Sequence, residues 1–220
     1  MTITYHGHSC FKLRGKNAAA VTDPYEDSIG LSLPSLSADV VTISHDHGDH
    51  NQASRVSGTA RRDNPFVIDH LGEYEVEGIS VFGVGSHHDD QEGSERGANN
   101  IFTISVDGVR VCHLGDLGHQ LTESMIDEIG IIDVLLLPVG GKYTIDAKQA
   151  VAVARALEPG IVIPMHYRTA EHDEKRFGEL QAVEDFLKEF GADDAKKTDK
   201  LKVESDRLPE EMEVVVLEKS

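Results

Sequence analysis

The sequence predicts an α/β fold of packed layers, and three observations carry that prediction. Short strand-like runs divided by turn residues fill the first half. Strand and helix patterns alternate in the second. Two runs, Val134–Leu137 and Ile161–Pro164, are wholly apolar, as strands covered on both faces must be. The 220 residues fit one compact domain, 1–220. A hydrophobic fraction of 39% with 20 glycines suits an ordinary globular chain with many turns.

The elements follow in order. Thr2–Tyr5, Cys10–Leu13 and Ala18–Thr22 read as strands, with Gly7, Gly15 and Asn17 marking turns. Asp39–Ile43 reads as a buried strand, and Val67–Asp69, Ile79–Phe82, Ile101–Val106 and Val109–His113 as further short ones. Asp107-Gly108 between the last two is a strong hairpin turn. Thr122 can cap a helix over Glu123–Ile129, stopped by Gly130. Asp146 with Gln149 resembles a capping box before Ala147–Leu157, and Glu158-Pro159-Gly160 ends that helix. A third helix is expected over Glu179–Phe190, with Leu180, Val183, Phe186, Leu187 and Phe190 on one face. Leu201–Glu204 and Glu213–Leu217 read as final strands.

No apolar run approaches the ~20 residues of a membrane helix, and the N-terminus lacks the charged-then-apolar layout of a signal peptide. Cys10 and Cys112 each lie inside a strand-like run and read as small buried thiols. Together these favour the cytoplasm. The 39 acidic against 21 basic residues give a net charge of −18, which repels long nucleic acids and anionic membranes. It does not exclude an anionic substrate at a metal, because a divalent ion dominates its local field.

The chemistry concentrates in His45-Asp46-His47-Gly48-Asp49-His50, just after a strand. In locally extended backbone His45 and His47 point the same way and can grip one ion. Gly48 lets the chain turn, so that Asp49 and His50 can face a second position. Imidazole nitrogens and carboxylate oxygens are ligands for zinc and related divalent metals. Polar groups recur past other strand ends: His87-His88-Asp89, Gly115-Asp116 and His166-Tyr167. Strand ends are where sites form in α/β sheets, so these segments can converge.

With these residues in view, the chain resembles the metallo-β-lactamase fold superfamily, in its family of small metal-dependent hydrolases related to ascorbate-6-phosphate lactonase. The resemblance spans essentially the whole chain. It runs through Gly7-His8-Ser9, the histidine cluster, Arg96-Gly97-Ala98-Asn99-Asn100, His113 to His119, Pro138-Val139-Gly140-Gly141, Tyr143 to Ala147, and Ile163 to Tyr167. It implies a four-layer αββα sandwich with a two-metal site at one edge. Carried over by position, it implies that His45, His47 and His88 hold one metal, that Asp49, His50 and His166 hold the other, and that Asp116 bridges them. Asp23 would support the metal loop from behind. The third-motif histidine is His87 or His88; the family places its ligand directly before an acidic residue, here Asp89, which selects His88. The implied cofactors are two divalent ions per chain: zinc, with manganese or iron as alternatives.

Two such ions about 3.5–4 Å apart can share a water and lower its pKa toward ~7. The expected activity is hydrolysis of an ester, lactone or phosphodiester in a small molecule by a metal-bridging hydroxide. Asp49 could also accept a proton, and His119 or Tyr143 could supply one to the leaving group. His8 could face the site, Arg96 could contact a phosphate or carboxylate, and Gly140-Gly141 could present N–H groups to an anion. His6, His70 and His172 read as structural or surface residues, and His113 as a buried hydrogen-bonded one. A homo-oligomer is implied by the resemblance alone. Competing readings are a nuclease or cyclic-nucleotide phosphodiesterase using the same metals, a di-iron redox protein, and a metal-stabilised binding protein. The redox branch of the fold usually has a carboxylate where His47 stands.

Overall fold

The computed structural model describes residues 1–220. Sixteen strands occur: β1 (Thr2–Gly7), β2 (Cys10–Arg14), β3 (Ala19–Thr22), β4 (Leu36–Ser37), β5 (Val40–Thr42), β6 (Val56–Ser57), β7 (Phe66–Ile68), β8 (Glu73–Val76), β9 (Ile79–His87), β10 (Ala98–Val106), β11 (Val109–His113), β12 (Val134–Pro138), β13 (Ile161–Met165), β14 (Lys196–Thr198), β15 (Lys200–Lys202) and β16 (Glu213–Leu217). The helices are α1 (Glu123–Ile129), α2 (Ala147–Leu157), α3 (Glu174–Phe177) and α4 (Val183–Phe190).

Two large sheets result, ordered β15-β1-β2-β3-β5-β7 and β14-β16-β13-β12-β11-β10-β9-β8, with β4-β6 as a small pair. The chain crosses between the two sheets at Asp199, which joins β14 to β15. Side-chain alternation divides the first sheet cleanly. Ala20 and Val40, paired in register, join the main core shared with the second sheet. Val21 and Val41, the next register pair, join a smaller cluster with Tyr25, Ile29, Leu31 and Phe177. The second sheet is covered on its other side by helices, α2 lying on β12 and α4. Leu135, Leu136 and Leu137 of β12 are completely buried, each contributing roughly 1.5–3 kcal/mol of transfer free energy. The αββα sandwich is therefore present. On the side of the first sheet its outer layer is built from loops, single 3₁₀ turns, β4-β6 and the one-turn α3.

Most predicted elements stand where the pattern placed them. Thr122 Oγ1 accepts from the Met125 N–H at 3.3 Å. Asp146 and Gln149 form a reciprocal capping box at the start of α2. Asp107 and Gly108 turn with φ of 52° and 76°, the paired left-handed conformation of a type I′ hairpin. The helix expected over 179–190 is shorter. It begins at Val183, because Gln181 N–H donates to Gly140 O at 2.8 Å and Leu180 packs into the smaller core while Val183, Phe186 and Leu187 pack into the larger. β9 and β10 extend further than predicted, as one long hairpin paired from Ala98↔His87 to Ser105↔Ser80.

The arrangement that matters for function is parallel pairing. β3 and β5 run parallel with Thr22 opposite Thr42, which brings Asp23 beside the segment entering His45. β11, β12 and β13 run parallel, so the loops after His113, Pro138 and Met165 leave the sheet at one edge.

Candidate metal centre

The centre is built outward from Asp23, a completely buried carboxylate at φ 37°. Its Oδ1 accepts from the Ser44 N–H at 2.8 Å. Its Oδ2 accepts from the Ser44 hydroxyl at 2.5 Å and from His50 Nδ1–H at 2.8 Å. The Ser44 hydroxyl, having donated to Asp23, accepts from His45 Nδ1–H at 2.9 Å. Both imidazoles are thereby fixed as Nδ1–H tautomers, assigned from the hydrogen-bond network, with their Nε2 lone pairs turned inward. The segment 44–50 is a bend followed by a turn, not an extended run. His50 and Asn51 N–H groups both donate to His47 O, and this curl brings Asp49 and His50 round to the second side.

The β9–β10 hairpin supplies the next wall. His88, and not His87, comes beside His45 and His47, and donor atoms of those three residues lie within 4.8 Å of one another. Gly118 packs on the His88 backbone, where a Cβ would stand 2.3 Å from His88 C. Asn99, buried at the base of β10, accepts from the Asp116 N–H at 2.9 Å and donates to Leu114 O at 2.9 Å, so it sets the loop that carries Asp116. Gly115 in that loop has φ 56° and no room for a Cβ, which would stand 2.2 Å from Asn99 Oδ1. Asp116 Oδ2 then lies 3.2 Å from His88 Nε2, 3.2 Å from His166 Nε2, 3.3 Å from His50 Nε2 and 3.9 Å from His45 Nε2. His166 enters after β13 at φ 53°, its N–H donating to His8 O at 2.8 Å. Three of the seven non-glycine residues with positive φ (His8, Asp23 and His166) sit here. Strain of ~1–3 kcal/mol per such residue concentrates at functional sites.

Buried polar atoms normally find partners. Here Nε2 of His45, His50 and His166 and Oδ1 of Asp116 are buried without a hydrogen-bond partner; His8 Nε2, also without a hydrogen bond, lies 3.4 Å from Asp49 Oδ2. Such a convergence fits a divalent cation. Two principal donor groups form, His45-His47-His88 and His8-Asp49-His50-His166, with Asp116 between them. Protonation states are divided: Asp116 outweighs burial and raises His50 and His88, so ligation through them would release protons, whereas His45, Asp49 and Asp116 are already deprotonated. Burial pushes His45 down to about 3. Burial alone would raise Asp116, but His166, His50 and His88 outweigh it and hold the carboxyl well below the usual range. The same opposition, with His8 and His50 prevailing over burial, keeps Asp49 ionised.

A cleft of about 390 Å³ opens over the centre. His47, Asp49, His88 and Asp116 form its floor, and Arg96, Tyr143, Arg176 and Phe177 its rim. A larger cleft, of about 560 Å³ along Glu73–Phe82, carries no comparable donors. Asp89, directly after His88, accepts from the N–H groups of Gln91, Gly93, Glu95 and Arg96 at 2.7–3.0 Å. One side chain thus shapes the loop that presents Arg96, whose guanidinium lies 5.9 Å from the Tyr143 ring centre.

Two expectations are corrected. His119 does not line the cleft: its Nε2 accepts from the His87 N–H at 3.2 Å and its Nδ1–H donates to Gln120 O at 2.8 Å, which leaves no proton to offer. Gly140 and Gly141 lie behind the centre. A Cβ on Gly140 would stand 2.0 Å from His166 O, and Gly140 O accepts from Gln181, so the pair serves a tight backbone crossing. His172, expected as a structural or surface residue, is a buried structural one beside His8. His113 is the buried structural histidine expected, its Nε2–H donating to Ser9 O at 2.9 Å while its Nδ1 accepts from the Gly115 N–H. Ser44, Asn99 and Arg176 were missed, and the loop-shaping role of Asp89 was not foreseen. Only Asp89 had a sequence signal, as an acidic residue directly after the third-motif histidine.

This fold with this donor set defines a metallohydrolase of the metallo-β-lactamase superfamily. Residues 2–166 match the family model described as the beta-lactamase superfamily domain, and the chain belongs to that family. It is similar to a UPF0173 metal-dependent hydrolase of Thermoplasma acidophilum, 32% identical over 206 residues covering 82% of this chain and 90% of that one. Another relative so named, from Archaeoglobus fulgidus, is 32% identical over 196 residues, covering 77% and 84%. A solved structure from Thermotoga maritima, described as a candidate zinc-dependent hydrolase of the superfamily, superposes with a TM-score of 0.79 at 40% identity over 98% of this chain and 97% of that one. The protein is a metal-dependent hydrolase.

Proposed function

We propose a binuclear hydrolase that cleaves an ester, lactone or phosphodiester bond in a small anionic molecule. The observation that carries this reading is the convergence of unpartnered imidazole nitrogens on Asp116 from two sides. His45, His47 and His88 would hold one ion, Asp49, His50 and His166 the other, and Asp116 would bridge. Zinc, manganese and iron all suit these donors. When bound, such ions supply a water of lowered pKa and electrostatic stabilisation of developing charge.

The chain's own residues do the rest. Asp23 and Ser44 hold His45 and His50 as lone-pair donors. Asp49, ionised and only 15% exposed in its side chain, can accept a proton. Tyr143 stands at the rim, but its hydroxyl donates to Arg176 O at 2.7 Å, so its single proton is committed in this structure as that of His119 is. Arg176 is paired with Glu26 at 3.3 Å. Arg96 has no carboxylate within 4.0 Å and is free to engage a phosphate or carboxylate of the substrate. On a chain of net charge −18, an unpaired arginine at the mouth of this cleft is what supports an anionic substrate.

The test is metal content by mass spectrometry on protein purified without added metal, paired with turnover on phosphodiester, lactone and ester panels. About two ions per chain, with turnover lost in His166→Ala and Asp116→Ala, is the expected result. Undiminished turnover in both variants overturns the proposal, and so does protein that neither binds metal nor turns over after reconstitution.

A further inference from the structure

His8 belongs to the donor group of Asp49, His50 and His166 by proximity, yet its other ring nitrogen tells a different story. Thr169 N–H donates to His172 Nδ1 at 3.1 Å, and the Thr169 hydroxyl stands 3.0 Å from the same nitrogen. A nitrogen that accepts an N–H carries no proton, so the proton of neutral His172 is on Nε2. That Nε2 lies 3.3 Å from His8 Nδ1 and can only donate to it. His8 Nδ1 is therefore an acceptor, and the proton of neutral His8 is on Nε2. His8 Nε2 faces Asp49 Oδ2 at 3.4 Å. A protonated ring nitrogen has no lone pair for a metal.

We infer that His8 presents a proton, not a lone pair, toward Asp49 and is not a metal ligand, its tautomer dictated through His172 by the Thr169 backbone. The chain of donors runs in one direction, from Thr169 to His172 to His8 to Asp49. Its geometry is imposed by the fold. His8 is completely buried at φ 56°, with its carbonyl accepting from the Tyr5 hydroxyl and from the His166 N–H. The His172 loop is pinned where Asp173 N–H donates to Ile29 O at 2.8 Å. A donor on one oxygen of Asp49 fixes the carboxylate's rotation and leaves its other oxygen free. The role of Asp49 rests on the two-metal proposal; the location of the His8 proton does not.

The test is the two-bond ¹H–¹⁵N correlation spectrum of the histidine rings in full-length protein, metal-free and loaded with zinc, with resonances assigned through His8→Gln and His172→Gln. His8 and His172 are expected as Nε2–H tautomers in both states, while zinc shifts Nε2 of His50 and His166. His8→Gln, which keeps an N–H near the same place, is expected to retain the wild-type zinc content. His8→Ala is expected to bind zinc ~10–100-fold more weakly, with Gln recovering most of the loss. A His8 ring protonated on Nδ1, an Nε2 resonance moved by zinc to that of a ligand, or loss of one ion in His8→Gln overturns the inference. If the protein takes up no zinc at all, the two-metal proposal fails, and the metal-free spectrum still decides where the His8 proton lies.

Discussion

Asp23 shows how much one residue can organise. It accepts three hydrogen bonds, and two of them fix the tautomers of His45 and His50, directly or through Ser44. Asp23→Asn sets an amide donor against the Ser44 hydroxyl and His50 Nδ1–H. The expected loss of metal affinity is ~10–100-fold, measured by competition with a chromogenic chelator; unchanged affinity would show that the tautomers are fixed elsewhere. His172 gives a second prediction. Burial pushes it down to about 4 and His8 down to about 3, from the ordinary 6.5. A group whose folded-state pKa is lowered in this way is neutral when folded and takes up a proton first when unfolded. Its stabilising contribution is complete above pH 6.5 and is lost as the pH falls toward 4. The melting temperature should fall over that interval, and less steeply in His172→Gln; equal slopes would remove His172 from the account. At this scale the sequence could place His87 and His88 but could not choose between them by chemistry. The choice depends on which of two adjacent side chains the end of β9 turns inward.

At the scale of elements, the centre sits where strands stop. The parallel pairs β3-β5 and β11-β12-β13 deliver Asp23, the His45 segment, Asp116 and His166 to one edge, and the β9–β10 hairpin closes the remaining side. Of the helices, α3 lines the cleft through Arg176 and Phe177, while α2 carries none of the donors. Asp146→Ala removes the cap of α2, whose side chains supply no donor, and should cost ~1 kcal/mol in urea unfolding with zinc content unchanged. Loss of metal in that variant would tie α2 to the site more closely than its position implies. The Asp89 loop makes an opposite prediction. Asp89→Ala deprives four N–H groups of their acceptor, so Arg96 loses its fixed position. KM for an anionic substrate should then rise ~10-fold or more with kcat less affected, as for a charge-assisted contact worth ~1.5–3 kcal/mol. A selective fall in kcat would place that loop in the chemistry instead. α4 is the element misjudged from sequence. Its apolar spacing continues back to Leu180, but Gly140 O claims the Gln181 N–H and two separate cores claim the side chains.

For the whole molecule, the candidate donors are drawn from both sheets, so bound metal would act as a clamp across the sandwich. Removing them with a chelator should lower the melting temperature and returning zinc should restore it. At a hundredfold excess over Kd the stabilisation is ~2.7 kcal/mol, roughly 5–10 °C for a chain of this size. A melting temperature indifferent to chelator would mean that the donors are held together without the ions. No helix is long and apolar enough to cross a membrane, and the acidic surface surrounds a centre whose own rim carries the unpaired Arg96.

By itself the sequence determined the layered α/β class, the order of most elements and the metal-binding character of 45–50, because hydrophobic period, turn residues and ligand spacing are local properties of a chain. It also pointed to Asp116 and His166, since polar groups after apolar strands are legible one strand at a time. Only the tertiary structure decided which neighbours complete the centre. Ser44, Asn99 and His172 act through hydrogen bonds whose partners lie far off in sequence, His172 meeting His8 across 164 positions. His119 and Gly140 left the site for the same reason. A side chain's proton and lone pair are committed by whatever the fold sets against them, and that is a property of space, not of sequence.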